Sequence, residues 1–123
     1  MRIKIPIDLY HLTVYFFVNC NKEDVLKNNI ITWSMIEVFN MFPYTDWWWL
    51  TARDWWDTSK IVCFIPKLDL KDPTTYNYIS HEVYHIVDKI ADFTWLEVTE
   101  NASNEHLAYL TWYITKKLFT KLL

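Results

Sequence analysis

The chain contains no glycine among its 123 residues. Glycine normally occupies the backbone positions with positive φ in turns and helix C-caps, so a mixed fold with several turns rarely lacks it. The chain has eight tryptophans instead, close to the roughly nine glycines that average usage gives for this length. Asp46-Trp47 and Asp54-Trp55 stand where Asp-Gly turns are common, and Trp95 follows a predicted helix, where a left-handed glycine is common. We interpret some or all of these tryptophans as positions that are glycine in the biological protein, through a recoded codon or a systematic replacement.

Read literally, the tryptophans of residues 47–49 and 55–56 form a large aromatic surface. A large exposed aromatic surface usually marks a binding site. This alternative predicts a non-enzymatic module that stacks on glycans or lies at a membrane interface.

Length and charge restrict the class of protein. A chain of 123 residues predicts one domain over residues 1–123, since domains commonly hold about 100–200 residues. The net charge of −3 provides no basic surface for a phosphate backbone, so nucleic-acid binding is not expected. The longest charge-free run, residues 9–21, is shorter than the ~20 residues that span a bilayer. Cys20 and Cys63 have no CxxC spacing and predict free thiols in the cytoplasm.

The hydrophobic pattern predicts an α+β domain. Apolar alternation and β-branched residues predict three strands, at Arg2–Ile7, Leu12–Val18 and 60–66. Residues 43–59 are predicted to be a loop because of their polar residues, and residues 28–42 fit neither the helical nor the strand period.

Three helices are predicted from capping residues and apolar stripes. Asn21 favours a short helix toward Lys27, and Asp72-Pro73 favours a helix that runs to about Phe93. A last helix is predicted over about residues 102–118, with lysines near its C-terminus. The predicted buried stripes are Tyr76, Ile79, Val83, Ile86, Val87 and Ile90 on the second helix and Leu107, Leu110, Ile114 and Leu118 on the third.

The second predicted helix carries the sequence His81-Glu82-Val83-Tyr84-His85, an HExxH motif. Residues four apart on a helix have Cβ atoms about 5–6 Å apart, so both imidazoles can reach one Zn²⁺ at about 2.0–2.1 Å. Glu82 lies about 100° around the helix from His81 and is able to reach a water on the metal. A general base requires this position, and the motif therefore predicts a zinc site with Glu82 as the base.

Chance is the alternative explanation of this motif. With four histidines, an accidental HExxH match in a chain of this length has a frequency of roughly one in a hundred. Two histidines beside a core stripe can also be ordinary surface residues. The position favours the metal hypothesis, because His81, His85, Asp88 and Asp92 share the helix face that the apolar stripe avoids.

A catalytic zinc needs a third protein ligand and one open position. The downstream candidates are Asp88, Asp92, Glu97, Glu100, Glu105 and His106. Asp88 lies one turn past His85, too far along to complete a tetrahedron, and suits the orientation of a ligand imidazole better. Glu105 begins the last predicted helix, which a hairpin-like return brings against the HExxH helix. His106 points elsewhere, about 100° from Glu105.

The HExxH motif followed by Asn104-Glu105 resembles the gluzincin pattern of thermolysin-like zinc peptidases. Residues 79–88 and 104–110 more closely resemble small phage-encoded zinc metallopeptidases, which are single-domain proteins with an NDE-x-x-AYL-x-G helix. The resemblance covers about residues 60–118 and places Trp112 at that family's glycine. It implies a zincin-like fold, a location in the host cytoplasm and a ligand set of His81, His85 and Glu105, with Glu82 as the base.

Tyr109 departs from the thermolysin-like pattern, which has an aspartate four residues after the ligand glutamate. Tyr109 shares the face of Glu105 and could donate a hydrogen bond to a developing oxyanion, although a packed aromatic is the favoured alternative.

In a zincin-like plan, residues 60–66 would be the edge strand to which a peptide adds. We therefore expect a zinc-dependent peptidase acting on peptide or protein substrates. The alternative is a non-catalytic module, either stapled by metal or rich in aromatic binding residues.

Overall fold

The chain folds into a four-stranded sheet with helices on both faces. The computed structural model describes residues 1–41, 49–54, 57–94 and 101–123, except for the side chains of 101–104. The strands are β1 (Arg2–Ile7), β2 (Leu12–Val18), β3 (Leu50–Arg53) and β4 (Lys60–Ile65). They lie in the order β1-β2-β4-β3, and β2 and β4 are parallel while the outer pairs are antiparallel. The helices are α1 (Lys22–Leu26), α2 (Trp33–Met41), α3 (Pro73–Thr94) and α4 (Asn101–Leu122). The predicted α+β class is confirmed.

The connection between β1 and β2 is a short 3-10 helix, Asp8–Tyr10, followed by His11 at φ 53°. The His11 amide donates to the Asp8 carbonyl at 3.2 Å, which closes the turn. Asn19, at φ 55°, is the other residue with positive φ in the part of the chain that the structure describes. A left-handed backbone at these two positions therefore exists without glycine, with residue types that tolerate it.

Strand β4 separates the two halves of the core. Its Ile61, Cys63 and Ile65 side chains pack with β1, β2, α3 and α4, while Val62 and Phe64 pack with α1 and α2 on the other face. A strand buried on both faces reads as a continuous apolar run, which is what this segment of sequence shows. The prediction that residues 60–66 form the edge strand is wrong, because β4 lies between β2 and β3.

The edge strands of the described sheet are β1 and β3, and β3 lies inside the predicted loop 43–59. The rest of that loop falls outside the described residues, except for positions next to the strands. The ambiguous segment 28–42 contains α2, whose Met35 and Phe39 are fully buried against the sheet.

The other predicted elements agree with the structure. Asn21 caps α1 by accepting from the Asp24 amide at 2.8 Å, and Asp72 caps α3 by accepting from the Thr74 amide at 3.0 Å. The predicted stripe of α3 is buried apart from Tyr76, and the stripe of α4 is buried apart from the half-exposed Leu107.

Two smaller predictions are also addressed by the structure. Cys20 and Cys63 are free, as predicted, with Cys63 buried in the core. None of the helices within the described ranges has both the length and the apolar character needed to cross a membrane.

Candidate active site

Helix α3 carries the two motif histidines on its outer side. The opposite side, with Ile79, Val83 and Ile86, is buried in the core. His81 is exposed and His85 is half-buried, so both imidazoles are accessible from solvent. Their rings are perpendicular, with centroids 4.6 Å apart, and their Nε2 atoms approach to 3.0 Å.

This Nε2–Nε2 distance matches two kinds of interaction. Two nitrogens bound to one tetrahedral zinc at about 2.0–2.1 Å are about 3.3 Å apart. Without a metal, 3.0 Å is the distance of a hydrogen bond in which one neutral imidazole of His81 or His85 donates to the other. In both cases the two Nε2 atoms point toward one another, and replacing the shared proton by a metal ion requires little movement.

Glu82 faces the sheet instead of solvent. Its side chain is only 5% exposed, and its Oε2 accepts a hydrogen bond from the hydroxyl of Thr51 on β3. A buried carboxylate is costly unless it is hydrogen-bonded, and Thr51 supplies that bond. The structure thus places Glu82 beside the histidine pair in sequence but on the adjoining, inward side of α3.

Thr51 reaches Glu82 because of the alternation of β3. Ala52 packs on the α2 side of the sheet, so its neighbours Thr51 and Arg53 project to the α3 side. There the Arg53 guanidinium lies 4.8 Å from the ring centroid of Phe93 on α3. The edge strand therefore runs along the helix that carries the motif.

Thr51 is also opposite Cys63 in the antiparallel pair of β3 and β4. Burial raises the pKa of the Cys63 thiol well above its ordinary value, the charge of Glu82 raises it further, and a hydrogen bond with Thr51 lowers it. Cys63 is therefore an unreactive thiol, and Thr51 contacts polar groups on both neighbouring elements.

A cavity of about 170 Å³ opens beside β3. Among the described residues it is lined by Val38 of α2, by Thr51, Ala52 and Arg53 of β3, and by Lys89 of α3. Since α2 and α3 cover opposite faces of the sheet, a cavity that both helices line lies at the sheet edge. Burial lowers the pKa of Lys89, and the Asp88 charge opposes this by raising it.

A second cavity, of about 260 Å³, lies near the start of α3. Trp49 and Tyr78 line it, and their ring centroids are 5.5 Å apart. Tyr78 precedes His81 by three residues, so it lies on the same side of α3. The two cavities therefore occur toward opposite ends of the α3 segment that includes the histidine pair.

Within the described residues, no third candidate ligand lies beside the histidine pair. In the ranges described, no group of three or more His, Cys, Asp or Glu side chains is placed to hold a metal ion. Glu105 is exposed on α4, which packs against α3. The candidates Glu97 and Glu100 lie outside the described residues.

The remaining candidates have other surroundings. Asp88 and Asp92 are exposed on α3. His106 is hydrogen-bonded to the Tyr10 hydroxyl, and burial raises the pKa of Tyr10. Tyr109 is 60% exposed, with its ring centroid 5.5 Å from that of Trp112.

Thr51 is the residue of this site that sequence reasoning missed. It lies in a segment predicted to be a loop, and no motif marks it. Only the pairing of β3 with β4 and the position of α3 across the sheet reveal its contact with Glu82.

Comparisons with protein-family models, with curated proteins and with solved structures give no match to this chain.

Proposed function

We propose that the protein is a zinc-dependent peptidase with a zincin-like active site, in which His81, His85 and Glu105 hold the metal and Glu82 is the general base. The observation that carries this proposal is the pair of Nε2 atoms 3.0 Å apart on one accessible face of α3. This arrangement supports the proposal because a single metal ion could bind both nitrogens with little movement of either ring.

The residues present fit zinc in type. Two imidazoles and one carboxylate form a common catalytic zinc ligand set, which leaves a fourth position open. When bound, zinc would polarise a peptide carbonyl and lower the pKa of a water molecule. Glu105 is proposed as the third ligand because it lies in an early turn of α4, is exposed, and belongs to a helix that packs against α3.

Glu82 would accept the proton of the attacking water and pass it to the leaving amine. Its carboxylate accepts from the Thr51 hydroxyl through Oε2, and a carboxylate has capacity for several further hydrogen bonds. Burial at 5% exposure shields this exchange from bulk solvent. A base shielded from bulk solvent suits amide hydrolysis.

The edge of β3 is the proposed place for an extended peptide. β3 pairs with β4 on one side, and a cavity lies on the other side between α2 and α3. A peptide that adds to this edge would form main-chain hydrogen bonds independent of its sequence. It would then pass Thr51, whose hydroxyl contacts Glu82 of the α3 motif.

Zinc analysis and peptide hydrolysis test this function together. The full chain should bind about one Zn²⁺ and cleave a casein-type substrate, and chelation should abolish cleavage. His81→Ala and His85→Ala should each lose metal and activity, whereas His11→Asn, a histidine change outside the site that tolerates positive φ, should lose neither.

Other outcomes separate the alternatives. Failure of the wild-type chain to bind zinc would overturn the proposal. Zinc binding without cleavage across a broad peptide library would identify the domain as a metal-stapled binding module instead.

A further inference from the structure

We propose that Thr51 is a positioning residue for Glu82, holding its carboxylate in a fixed place between β3 and α3. This inference rests on the proposed peptidase function and assigns a role to a residue that the motif does not contain. The evidence is the buried hydrogen bond from the Thr51 hydroxyl to Glu82 Oε2.

The contact is specific to the geometry of the edge strand. Thr51 is 8% exposed and Glu82 is 5% exposed, so water does not compete effectively for either side chain. A glutamate has three rotatable side-chain torsions, and a buried donor on a paired strand removes much of that freedom. The carboxylate is therefore held in one place relative to both α3 and β3.

The location of Thr51 makes the contact relevant to substrate. Thr51 lines the cavity beside β3, where the proposed peptide lies, and its side chain projects toward α3. One residue thus contacts the base with its hydroxyl and belongs to the strand that would pair with the peptide. The position of the carboxylate relative to a peptide on β3 therefore depends on the Thr51 hydroxyl.

Cys63 supports this arrangement from the central strand. It is opposite Thr51 in the strand pair and is fully buried. The Thr51 side chain therefore lies between β4 and α3. A hydroxyl fixed in this way is a better orienting group than a freely rotating surface threonine.

The test uses the zinc-loaded full chain and a quenched fluorescent peptide. Thr51→Val keeps the side-chain shape without the hydroxyl, and Thr51→Ser keeps the hydroxyl without the methyl. We expect Thr51→Val to lower kcat by about tenfold or more, a part of the 10²–10⁴-fold worth of a positioned base, with KM and zinc content unchanged. Thr51→Ser should retain kcat within about threefold.

A double-mutant cycle with Glu82→Gln distinguishes positioning from a structural effect. If Thr51 acts through Glu82, Thr51→Val should cause no further loss of kcat in the Glu82→Gln background. An equal fractional loss in both backgrounds would overturn the inference. If the valine variant does not fold, Thr51→Ala replaces it in the same cycle.

The failures of the two proposals are distinguishable. Zinc-dependent cleavage by the wild type together with wild-type kcat in Thr51→Val overturns the positioning role alone. Absence of zinc-dependent cleavage by the wild type overturns both.

Discussion

Replacing Glu82 by glutamine separates its chemical role from its structural one. Glutamine has nearly the same volume, and its amide oxygen can still accept from the Thr51 hydroxyl. The charge-assisted hydrogen bond, worth about 1.5–3 kcal/mol, becomes a neutral one worth about 1 kcal/mol. The substitution also removes the cost of burying a charge, which offsets that loss. We therefore expect the free energy of unfolding to change by no more than about 1 kcal/mol, equivalent to roughly 3–5 °C in Tm for a chain of this size.

The effect on catalysis should be much larger. Loss of a positioned general base should lower peptide hydrolysis by about 10²-fold or more, which corresponds to ~2.7 kcal/mol in the activation barrier. Zinc content should stay at the wild-type level, because Glu82 is not a ligand. Tm by circular dichroism, bound zinc by elemental analysis and cleavage of a fluorogenic peptide would be measured on one preparation.

Glu23→Gln is the matched control, since it makes the same chemical change at an exposed position on α1. It should leave Tm, zinc content and hydrolysis nearly unchanged. Wild-type hydrolysis in Glu82→Gln would refute the assignment of the base. A loss of stability above about 3 kcal/mol would show that the buried carboxylate is mainly structural.

Three further predictions test other parts of the argument. Glu105→Ala should lower zinc affinity by at least the ~10–100-fold that loss of a residue contacting a ligand costs, and Asp88→Ala should lower it less. Equal zinc affinity in Glu105→Ala and wild type would exclude Glu105 as a ligand. Trp55→Gly should raise the free energy of unfolding by about 1 kcal/mol if residue 55 requires positive φ. Trp112→Gly, inside α4, should lower it by about as much. Thermal melts of both variants decide between the glycine and tryptophan interpretations. Hydrogen bonds from Thr74 lower the pKa of Asp72, so its charged form stabilises the fold above the unfolded pKa of ~3.9 and this contribution is lost as pH falls through the lower folded value. The stability advantage of wild type over Asp72→Asn should therefore be constant near neutral pH and disappear in acid, and a flat difference across a pH series of urea melts would contradict this.

Most strands and helices were predictable because their local patterns agree with their tertiary environment. β1 alternates buried and exposed residues along its whole length, and β4 is continuously apolar because both of its faces are covered. β3 was missed because four residues, Leu-Thr-Ala-Arg, are too few to show a period and lie among polar and tryptophan residues. The position of β4 in the sheet was also missed, since strand order depends on β3.

The candidate site was predictable in its local spacing but not in its contacts between elements. The spacing of His81 and His85 on one helix is a local property, and the Nε2 contact agrees with it. The inward direction of Glu82 is not a local property, because Glu82 lies on α3 between the histidine face and the buried side of the helix. Its orientation depends on Thr51, a residue of the strand that sequence reasoning did not identify.

The sheet order also has a consequence for the sequence of events during synthesis. β3 leaves the ribosome before β4, yet β4 is its strand partner and lies between it and β2. β3 therefore has no sheet to join until the chain has passed Ile65, and until then its backbone amides must be hydrated or transiently covered. The central parallel pair is itself non-local, because all of α1, α2 and β3 separate β2 from β4, and such pairings form slowly. The sheet is therefore expected to assemble from the inner strands outward, with the strand of Thr51 pairing late. Glu82 is expected to reach its buried position only after that step.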